Sequence, residues 1–261
     1  MGTFAFSLLK LTQMSGAGRK SRVAGMALQD QVVLVVGASS GIGRETAILF
    51  AREGCRVMAA ARREDRLKAL AADAPGIEIT VADASSADEM DRLCGQTIKR
   101  FGKIDVMVYA TGTNTPDRSM ARLTPAIWDM MMGVNLNGAY YITQAVLPHM
   151  REARAGHLIY ISSISGLVPD VSGAAYQAGK RGILGLAHAV RVEEKENGIR
   201  TCVVCPGLVE TEILAKRPVR PTAEILAKAL QPGDVAEMVL AVAKLPARAV
   251  VPELQILPTY L

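Results

Sequence analysis

Short apolar runs alternate with longer segments of helical periodicity over most of this 261-residue chain. Runs rich in Val, Ile and Ala predict strands at residues 32–36, 56–60, 77–81, 106–109, 158–161, 201–204 and 253–257. Segments with an apolar stripe at helical spacing lie between them, at 42–53, 63–72, 87–101 and 124–150. This alternation indicates parallel βαβ units with both sheet faces covered. We therefore expect one doubly wound α/β domain over residues 26–261, with a parallel sheet of about seven strands flanked by helices on both faces.

The formal charge of +5 is concentrated at the start of the chain. Residues 1–29 hold four basic side chains and no acid: Lys10, Arg19, Lys20 and Arg22. The remaining 26 basic and 25 acidic residues nearly cancel, so the charge does not support nucleic-acid binding. We expect residues 1–25 to be a disordered basic extension, or residues upstream of a true start at Met26. An organelle-targeting peptide is the alternative.

The apolar residues are distributed as in a water-soluble domain. No run of about 18 apolar residues occurs, so we expect no membrane span and a cytoplasmic protein. Cys202 and Cys205 have a redox or half-zinc spacing, but they lie on a predicted strand, where residues three apart point to opposite faces. We interpret both as buried core residues and expect no metal site.

The first predicted strand ends in a glycine-rich loop, Gly37 to Gly43, and a predicted helix follows at once. Its three glycines let the backbone approach a pyrophosphate, which the helix amides and dipole stabilise. The loop also satisfies the G-x-S-x-G pattern of a hydrolase nucleophile elbow. Only 36 residues precede it, too few for the strands that the hydrolase fold requires, so dinucleotide binding is favoured.

The residues after the second predicted strand bear on which dinucleotide binds. An acid at this point usually binds the adenosine ribose hydroxyls of NAD. Here Ala61 is followed by Arg62 and Arg63, with no acid to repel a 2′-phosphate, which favours NADP as the cofactor. The alternative for either arginine alone is a solvated charge at a helix start.

A tyrosine and a lysine four residues apart, Tyr176 and Lys180, share one face of a predicted helix. A nearby ammonium stabilises a phenolate and lowers the phenol pKa from its ordinary value of about 10. Ser163 follows a predicted strand, at the edge where open α/β sheets bind ligands. Tyr176 is therefore a candidate base, and Ser163 supplies the context of a ligand-binding edge for the Tyr176 and Lys180 pair.

These motifs resemble those of the short-chain dehydrogenase/reductase family, and the resemblance covers residues 26–261. It rests on the glycine loop and on five further matches: Asp83 with Ala84, Asn135 within residues 133–138, Ser162 with Ser163, Tyr176 with Lys180, and Pro206 with Gly207. The resemblance implies a Rossmann-type fold and an NADP(H)-dependent oxidoreductase. Such an enzyme transfers a hydride between the nicotinamide and a carbonyl or secondary alcohol substrate.

The resemblance also implies a role for each residue of the site. Tyr176 would be the general acid/base, and Ser163 would orient the substrate oxygen. Lys180 would lower the Tyr176 pKa and bind the nicotinamide ribose, and Asn135 would hold a water in the proton relay behind it. Leu167 would join Ser163 and Tyr176 in contacting the substrate.

The implied cofactor contacts follow the ends of several strands. They are Gly37, Ser39, Ser40, Ile42 and Gly43 at the pyrophosphate and ribose, Arg62 and Arg63 at the 2′-phosphate, Asp83 and Ala84 at the adenine, Ala110 and Gly112 on the adenosine side, Tyr176 and Lys180 at the nicotinamide ribose, and Pro206, Gly207, Val209 and Thr211 around the nicotinamide.

Two positions depart from the family's pattern. Val36 stands where the family usually has Thr, and residues 109–112 stand in place of Asn-Asn-Ala-Gly. Gly112 keeps the last glycine, whereas the side-chain hydrogen bonds of that motif are lost or replaced by Thr111. These changes bear on cofactor affinity, not on the four catalytic residues.

The substrate is the least specified part of this interpretation. Residues 208–231 are expected to cover it, and there Arg217 and Arg220 either bind a carboxylate or face water. The chain's ending resembles that of NADP-dependent 3-hydroxy-acid and general carbonyl reductases. A small carbonyl or alcohol substrate and a homodimer or homotetramer are implied. A non-catalytic NADP-binding sensor or scaffold is the alternative function.

Overall fold

The structure is a computed structural model, and it describes residues 28–260. The extension predicted over residues 1–25 lies outside the described residues.

Between residues 28 and 260 the strands form one parallel sheet in the order β3-β2-β1-β4-β5-β6-β7. The strands are β1 (Val32–Val36), β2 (Arg56–Ala61), β3 (Ile77–Val81), β4 (Val106–Tyr109), β5 (Gly156–Ile161), β6 (Ile199–Pro206) and β7 (Glu253–Ile256). The prediction of a doubly wound parallel sheet is confirmed. The order reverses between β1 and β4, and ligands bind at such a switch point, outside the carboxyl ends of the strands.

Helices cover both faces of this sheet. They are α1 (Gly41–Arg52), α2 (Glu64–Asp73), α3 (Ala87–Phe101), α4 (Pro125–Met132), α5 (Gly138–Ala153), α6 (Ala174–Glu193), the short α7 (Ala223–Leu226) and α8 (Pro232–Ala243). One face packs against α1, α2 and α8, where Phe50 and Leu70 are fully buried. The other packs against α3, α5 and α6, where Met90 and Ile142 are fully buried.

The alternation of side chains along β6 separates its two cysteines. Cys202 belongs to the apolar layer of one sheet face and Cys205 to the layer of the other. Both are free and fully buried, and burial raises the pKa of Cys202 to about 12 and that of Cys205 to about 11. Their interpretation as core residues on opposite faces is confirmed.

The segment predicted as one helix over residues 124–150 is divided in the structure. Thr124 caps α4 by accepting a hydrogen bond from the Ile127 amide, as its sequence position predicts. A π-helical turn at Gly133–Asn137 then joins α4 to α5. A Cβ at Gly138 would lie 2.5 Å from the Ala84 carbonyl oxygen and would also collide with Tyr109 Oη. The chain therefore passes close to the ends of the strands, and the π turn faces that edge.

No helix within residues 28–260 combines the length and the apolar character that crossing a bilayer would require.

His157 on β5 makes the stability of the fold sensitive to acid. It is only 3% exposed, and burial, together with the charge of Arg200, lowers its pKa to about 3. An unfolded chain protonates histidine near pH 6.5, so below that pH the unfolded state binds a proton that the folded state does not. The free energy of unfolding contributed by His157 is complete above about pH 6.5 and declines as the pH falls toward 3.

We predict that the lowered pKa of His157 reduces the free energy of unfolding by about 2 kcal/mol between neutral pH and pH 5. Replacing His157 by Leu should remove that part of the acid dependence, as measured by urea unfolding at the two pH values. His149→Leu is the control, because it keeps His157 and should keep the loss. An unchanged pH dependence in His157→Leu would contradict the prediction.

Candidate functional site

A cleft of about 440 Å³ lies along the carboxyl edge of the sheet. Segments that follow β1 through β6 line it, so residues from distant parts of the sequence meet there. One end lies at the glycine loop and α2, and the other lies beside Tyr176 on α6. These ends are called the arginine end and the tyrosine end below.

The glycine loop has the geometry of an anion site. Gly37 adopts a positive φ of 97°, and a Cβ there would lie 2.7 Å from the Thr111 amide nitrogen. Ser40 is the N-cap of α1, but its side chain makes no capping hydrogen bond, so the first-turn amides stay available to a ligand. A diphosphate fits this position, because uncapped amides and the helix dipole both favour negative charge.

Arg62 and Arg63 lie where the sequence predicts, at the arginine end of the cleft. Arg63 is the N-cap residue of α2, and its guanidinium donates to Ser39 Oγ at 2.9 Å and to Ser40 Oγ at 2.7 Å. Arg62 Nη1 lies 3.7 Å from Asp83 Oδ2. The two arginines thus join the glycine loop to the end of β3.

A carboxylate from the far side of the cleft already contacts Arg63. Glu212 lies in a 3₁₀ turn, Glu212–Lys216, and its Oε2 accepts a hydrogen bond from Arg63 Nη1 at 2.7 Å. Arg66 Nη1 lies 3.5 Å from the other carboxylate oxygen. The hydrogen bond from Arg63 lowers the Glu212 pKa, so Glu212 holds its negative charge beside Arg63.

Tyr176 and Lys180 lie on successive turns of α6, and Ser163 faces them from the end of β5. Lys180 is 3% exposed, and its Nζ donates to the Ile161 carbonyl at 3.0 Å. The ammonium lies 5.8 Å from the centre of the Tyr176 ring. Ser163 is the N-cap of the short turn Ile164–Gly166. The three side chains line the tyrosine end together.

Asn135 lies in the π turn, buried behind the cleft. Its Oδ1 accepts from the Thr113 amide and its Nδ2 donates to the Thr113 carbonyl, both at 3.0 Å. A Cβ at Gly112 would lie 3.1 Å from Lys180 Nζ and 3.5 Å from Asn135 Oδ1. Glycine at this position therefore leaves open the gap between the ammonium and the amide.

Burial dominates the ionisation of the tyrosine and the lysine. Burial raises the Tyr176 pKa above its ordinary value, against the opposing effect of the Ser163 hydroxyl, and lowers the Lys180 pKa to about 8. The charged groups that act on the phenol are Asp170, which raises its pKa, and Arg217 and Arg118, which lower it. Burial is the largest effect on the Tyr176 pKa, and the Lys180 ammonium is not among the charges that shift it in this arrangement.

A chain of hydroxyl groups connects Ser163 to a carboxylate. Ser163 Oγ donates to Ser165 Oγ at 3.2 Å, and Ser165 Oγ donates to Asp170 Oδ2 at 2.5 Å. Ser172 donates two further hydrogen bonds to Asp170: its backbone N–H to Oδ1 at 2.8 Å and its Oγ to Oδ2 at 3.0 Å. The position of the Ser163 hydroxyl is thus set by a fixed acceptor outside the four predicted residues.

Residues 109–112 replace the family's Asn-Asn-Ala-Gly, and Tyr109 supplies a side-chain hydrogen bond in this segment. Tyr109 Oη donates to the Val134 carbonyl at 2.6 Å and so ties the end of β4 to the π turn. Thr111 Oγ1 is buried and has no hydrogen-bond partner among the residues the structure describes. Tyr109, rather than Thr111, supplies the side-chain bond at this position.

Most of the predicted site residues line the cleft, and three do not. Gly43 packs beneath the loop against the Gly37 carbonyl, and Asn135 lies behind Lys180. Leu167, predicted to contact the substrate, packs instead against the apolar layer beneath α6.

The structure also adds residues that the sequence interpretation missed. They are Arg118, Ser165, Asp170, Lys216 and Glu212, all of which line the cleft. They come from irregular segments or short turns and form no local motif, so nothing in the sequence alone distinguishes them from surface residues.

Comparisons with known proteins agree on one family. The family model described as short chain dehydrogenase matches residues 31–221. The 3-oxoacyl-acyl-carrier-protein reductase of Thermotoga maritima is 31% identical over 224 residues, covering 82% of this chain and 91% of its own length.

Solved structures give the same picture. The closed form of serine dehydrogenase complexed with NADP+ superposes with a TM-score of 0.81 at 29% identity, covering 87% of this chain and 94% of that one. A variant of actinorhodin polyketide ketoreductase with NADPH gives a TM-score of 0.81 at 31% identity, covering 88% and 96%.

Proposed function

This chain belongs to the short-chain dehydrogenase family, and we propose that it transfers a hydride between NADP(H) and a carbonyl or secondary alcohol substrate. One observation carries the proposal. Tyr176, Ser163 and Lys180 meet at one end of a cleft whose other end holds an uncapped helix N-terminus and two arginines. This arrangement supports the proposal, because an anionic dinucleotide bound along the cleft would bring its reactive end beside a group that can transfer a proton.

The cofactor would lie along the carboxyl edge of the sheet. The α1 amides and the glycine loop would bind its diphosphate. Arg62 and Arg63 would bind the 2′-phosphate, and Asp83 with Ala84 would contact the adenine. Pro206, Gly207, Val209 and Thr211 would enclose the nicotinamide, which supplies the hydride when bound.

Tyr176 would donate its proton to the substrate oxygen in reduction and take it back in oxidation. Ser163 would hydrogen-bond the same oxygen. The hydrogen bond to Ser165, which is itself bonded to Asp170, holds the Ser163 oxygen in place, and the single Ser163 hydroxyl proton would turn from Ser165 to the substrate oxygen when substrate binds. An ordered hydroxyl loses less entropy when it binds the transition state.

Lys180 and Asn135 would supply the electrostatics and the proton path behind Tyr176. A buried ammonium stabilises a phenolate that forms during the reaction, although burial raises the resting pKa of the phenol. The gap at Gly112 gives room for a ribose hydroxyl or a water between Lys180 and Asn135.

Tyr176→Phe should reduce the turnover of any accepted carbonyl compound by about a hundredfold or more, because it removes the general acid. NADPH affinity should change little. The measurement is NADPH absorbance against a carbonyl panel, with NADPH binding followed by fluorescence.

Tyr140→Phe is the matched control, since Tyr140 is 46% exposed and packs against Tyr141 away from the cleft. Retained turnover in Tyr176→Phe would contradict the assigned role. Tight NADPH binding without turnover of any carbonyl or alcohol by the unmodified protein would instead favour a sensor or scaffold.

Replacing Arg62 and Arg63 together by Ala should weaken NADPH by about tenfold or more and leave NADH nearly unchanged, because only NADPH carries the 2′-phosphate. Dissociation constants of both cofactors give the test. Lys68→Ala is the control, because Lys68 on α2 pairs with Glu64. Equal losses for NADPH and NADH would contradict the phosphate assignment.

Glu212→Gln should tighten NADPH binding by up to about fivefold, the factor expected when a competing exposed ion pair is removed. NADH binding should not change, since the Glu212 carboxylate competes with the 2′-phosphate alone. Glu210→Gln is the control, because Glu210 bonds to Gln231 on the same segment. Weaker NADPH binding in Glu212→Gln would show that the carboxylate supports the cofactor and does not compete with it.

A further inference from the structure

The tyrosine end of the cleft carries uncompensated positive charge. Arg118, Lys216 and Arg217 all line the cleft, and Arg118 packs against Gly173 at the start of α6, three residues before Tyr176. None of the three lies within ion-pair distance of a carboxylate anywhere in residues 28–260, whereas Arg62 and Arg63 at the arginine end each face an acid.

Neutral acceptors hold two of these cations in place. Arg118 donates to the Thr115 carbonyl at 3.0 Å and to the Lys216 carbonyl at 2.7 Å. Lys216 Nζ donates to Thr113 Oγ1 at 2.6 Å. These bonds tie the segment after β4 to the segment after β6 and so orient the side chains, but they neutralise neither charge.

The remaining charges around this end do not compensate for the excess. Asp170 is the carboxylate that faces it, and its oxygens are occupied by Ser165 and Ser172. Glu212 is bound to Arg63 and Arg66 at the other end, and Lys180 adds a further buried ammonium. Three cations and Lys180 therefore face one acid.

Burial and the repulsion between Arg118 and Arg217 lower the pKa of Arg118. The charges of Arg118 and Arg217 also act on the Tyr176 phenol. Like charges held around a cleft by neutral acceptors are stabilised when an anion enters, because the anion supplies the missing counter-charge.

We propose that the substrate carries an anionic group, which Arg217 binds together with Lys216 and Arg118 while the substrate carbonyl lies at Tyr176 and Ser163. This inference rests on the proposed function and adds the substrate class, a keto acid or a keto phosphate and the corresponding hydroxy compound. Arg217 is the residue best placed to bind it, because it is half-buried, lines the cleft and makes no side-chain hydrogen bond within residues 28–260.

The cofactor phosphates are the competing ligand for these cations. The diphosphate and the 2′-phosphate have their own donors in the α1 amides, the glycine loop and Arg62 with Arg63. Arg118 lies beyond them, beside Tyr176, so its charge is better placed for a group attached to the reacting carbonyl.

The first test compares matched pairs of substrates with NADPH: 3-oxobutanoate against its methyl ester, and dihydroxyacetone phosphate against dihydroxyacetone. The charged member of at least one pair should have a kcat/KM higher by about tenfold to a hundredfold, the value of a hydrogen bond to a charged group. The pair that discriminates identifies the anion as carboxylate or phosphate. Neutral members that react as well as charged ones in both pairs would overturn the proposal.

The second test uses Arg217→Gln, with Arg217→Lys as the conservative variant. Arg217→Gln should lose about tenfold or more in kcat/KM for the charged substrate through KM, while the KM values for the neutral analogue and for NADPH stay unchanged. Arg217→Lys should recover part of the loss. Arg220→Gln is the control, because Arg220 is exposed on the same segment and does not line the cleft. A loss confined to the NADPH KM would overturn the proposal in favour of cofactor binding.

Calorimetry separates this inference from the proposed function. Enzyme loaded with NADP+ cannot reduce a ketone, so it binds 3-oxobutanoate or dihydroxyacetone phosphate without turnover. Binding of a charged probe but not its neutral partner, lost in Arg217→Gln, supports the anion site even if no carbonyl in the panel is reduced. Equal binding of charged and neutral probes would overturn it even if the enzyme is an active reductase.

Discussion

A lysine ammonium buried at the carboxyl edge of the sheet places the strictest demand on this structure. The Lys180 side chain is almost fully buried, and its Nζ has the Ile161 carbonyl as hydrogen-bond partner. Burying a cation with one neutral acceptor is unfavourable, which is why the Lys180 pKa falls to about 8. The surrounding backbone must therefore be held in place at this point. The end of β5 supplies the carbonyl, and Ser162 Oγ fixes the turn of α6 by donating to the Lys180 carbonyl at 2.8 Å.

The π turn (Gly133–Asn137) must also lie close to Lys180. It packs tightly against α6, since a Cβ at Gly179 would lie 2.9 Å from the Asn135 Cβ, and this close packing brings Asn135 to the site. Tyr109 Oη anchors the turn from the end of β4. Lys180, Asn135 and Ser163 thus depend on three chain segments that meet at one edge, and a small displacement of any segment would alter the distances between these side chains. π turns are frequent at functional sites, and here the turn positions the Asn135 side chain.

The two ends of the cleft differ in how their cations are partnered. At the arginine end, Arg62 faces Asp83 and Arg63 is paired with Glu212, so a phosphate that bound Arg63 would compete with the Glu212 carboxylate. At the tyrosine end, the cations are held by carbonyl and hydroxyl oxygens and keep their full charge. In the functions proposed above, the first arrangement would tune selectivity between two cofactors, and the second would raise the attraction for a negatively charged substrate.

The sequence by itself determined the parallel sheet, the glycine loop, Arg62 with Arg63, and the spacing of Tyr176 with Lys180. These features are local: hydrophobic periodicity, turn residues and four-residue helical spacing act within short stretches of chain. The tertiary structure alone decided the rest. It packed the partly buried Leu167 against the apolar layer beneath α6, broke the predicted helix at Gly133–Asn137, and brought Glu212, Arg118 and Asp170 to the cleft. Their roles come from contacts between segments far apart in the chain, and local periodicity carries no information about which distant charges will meet.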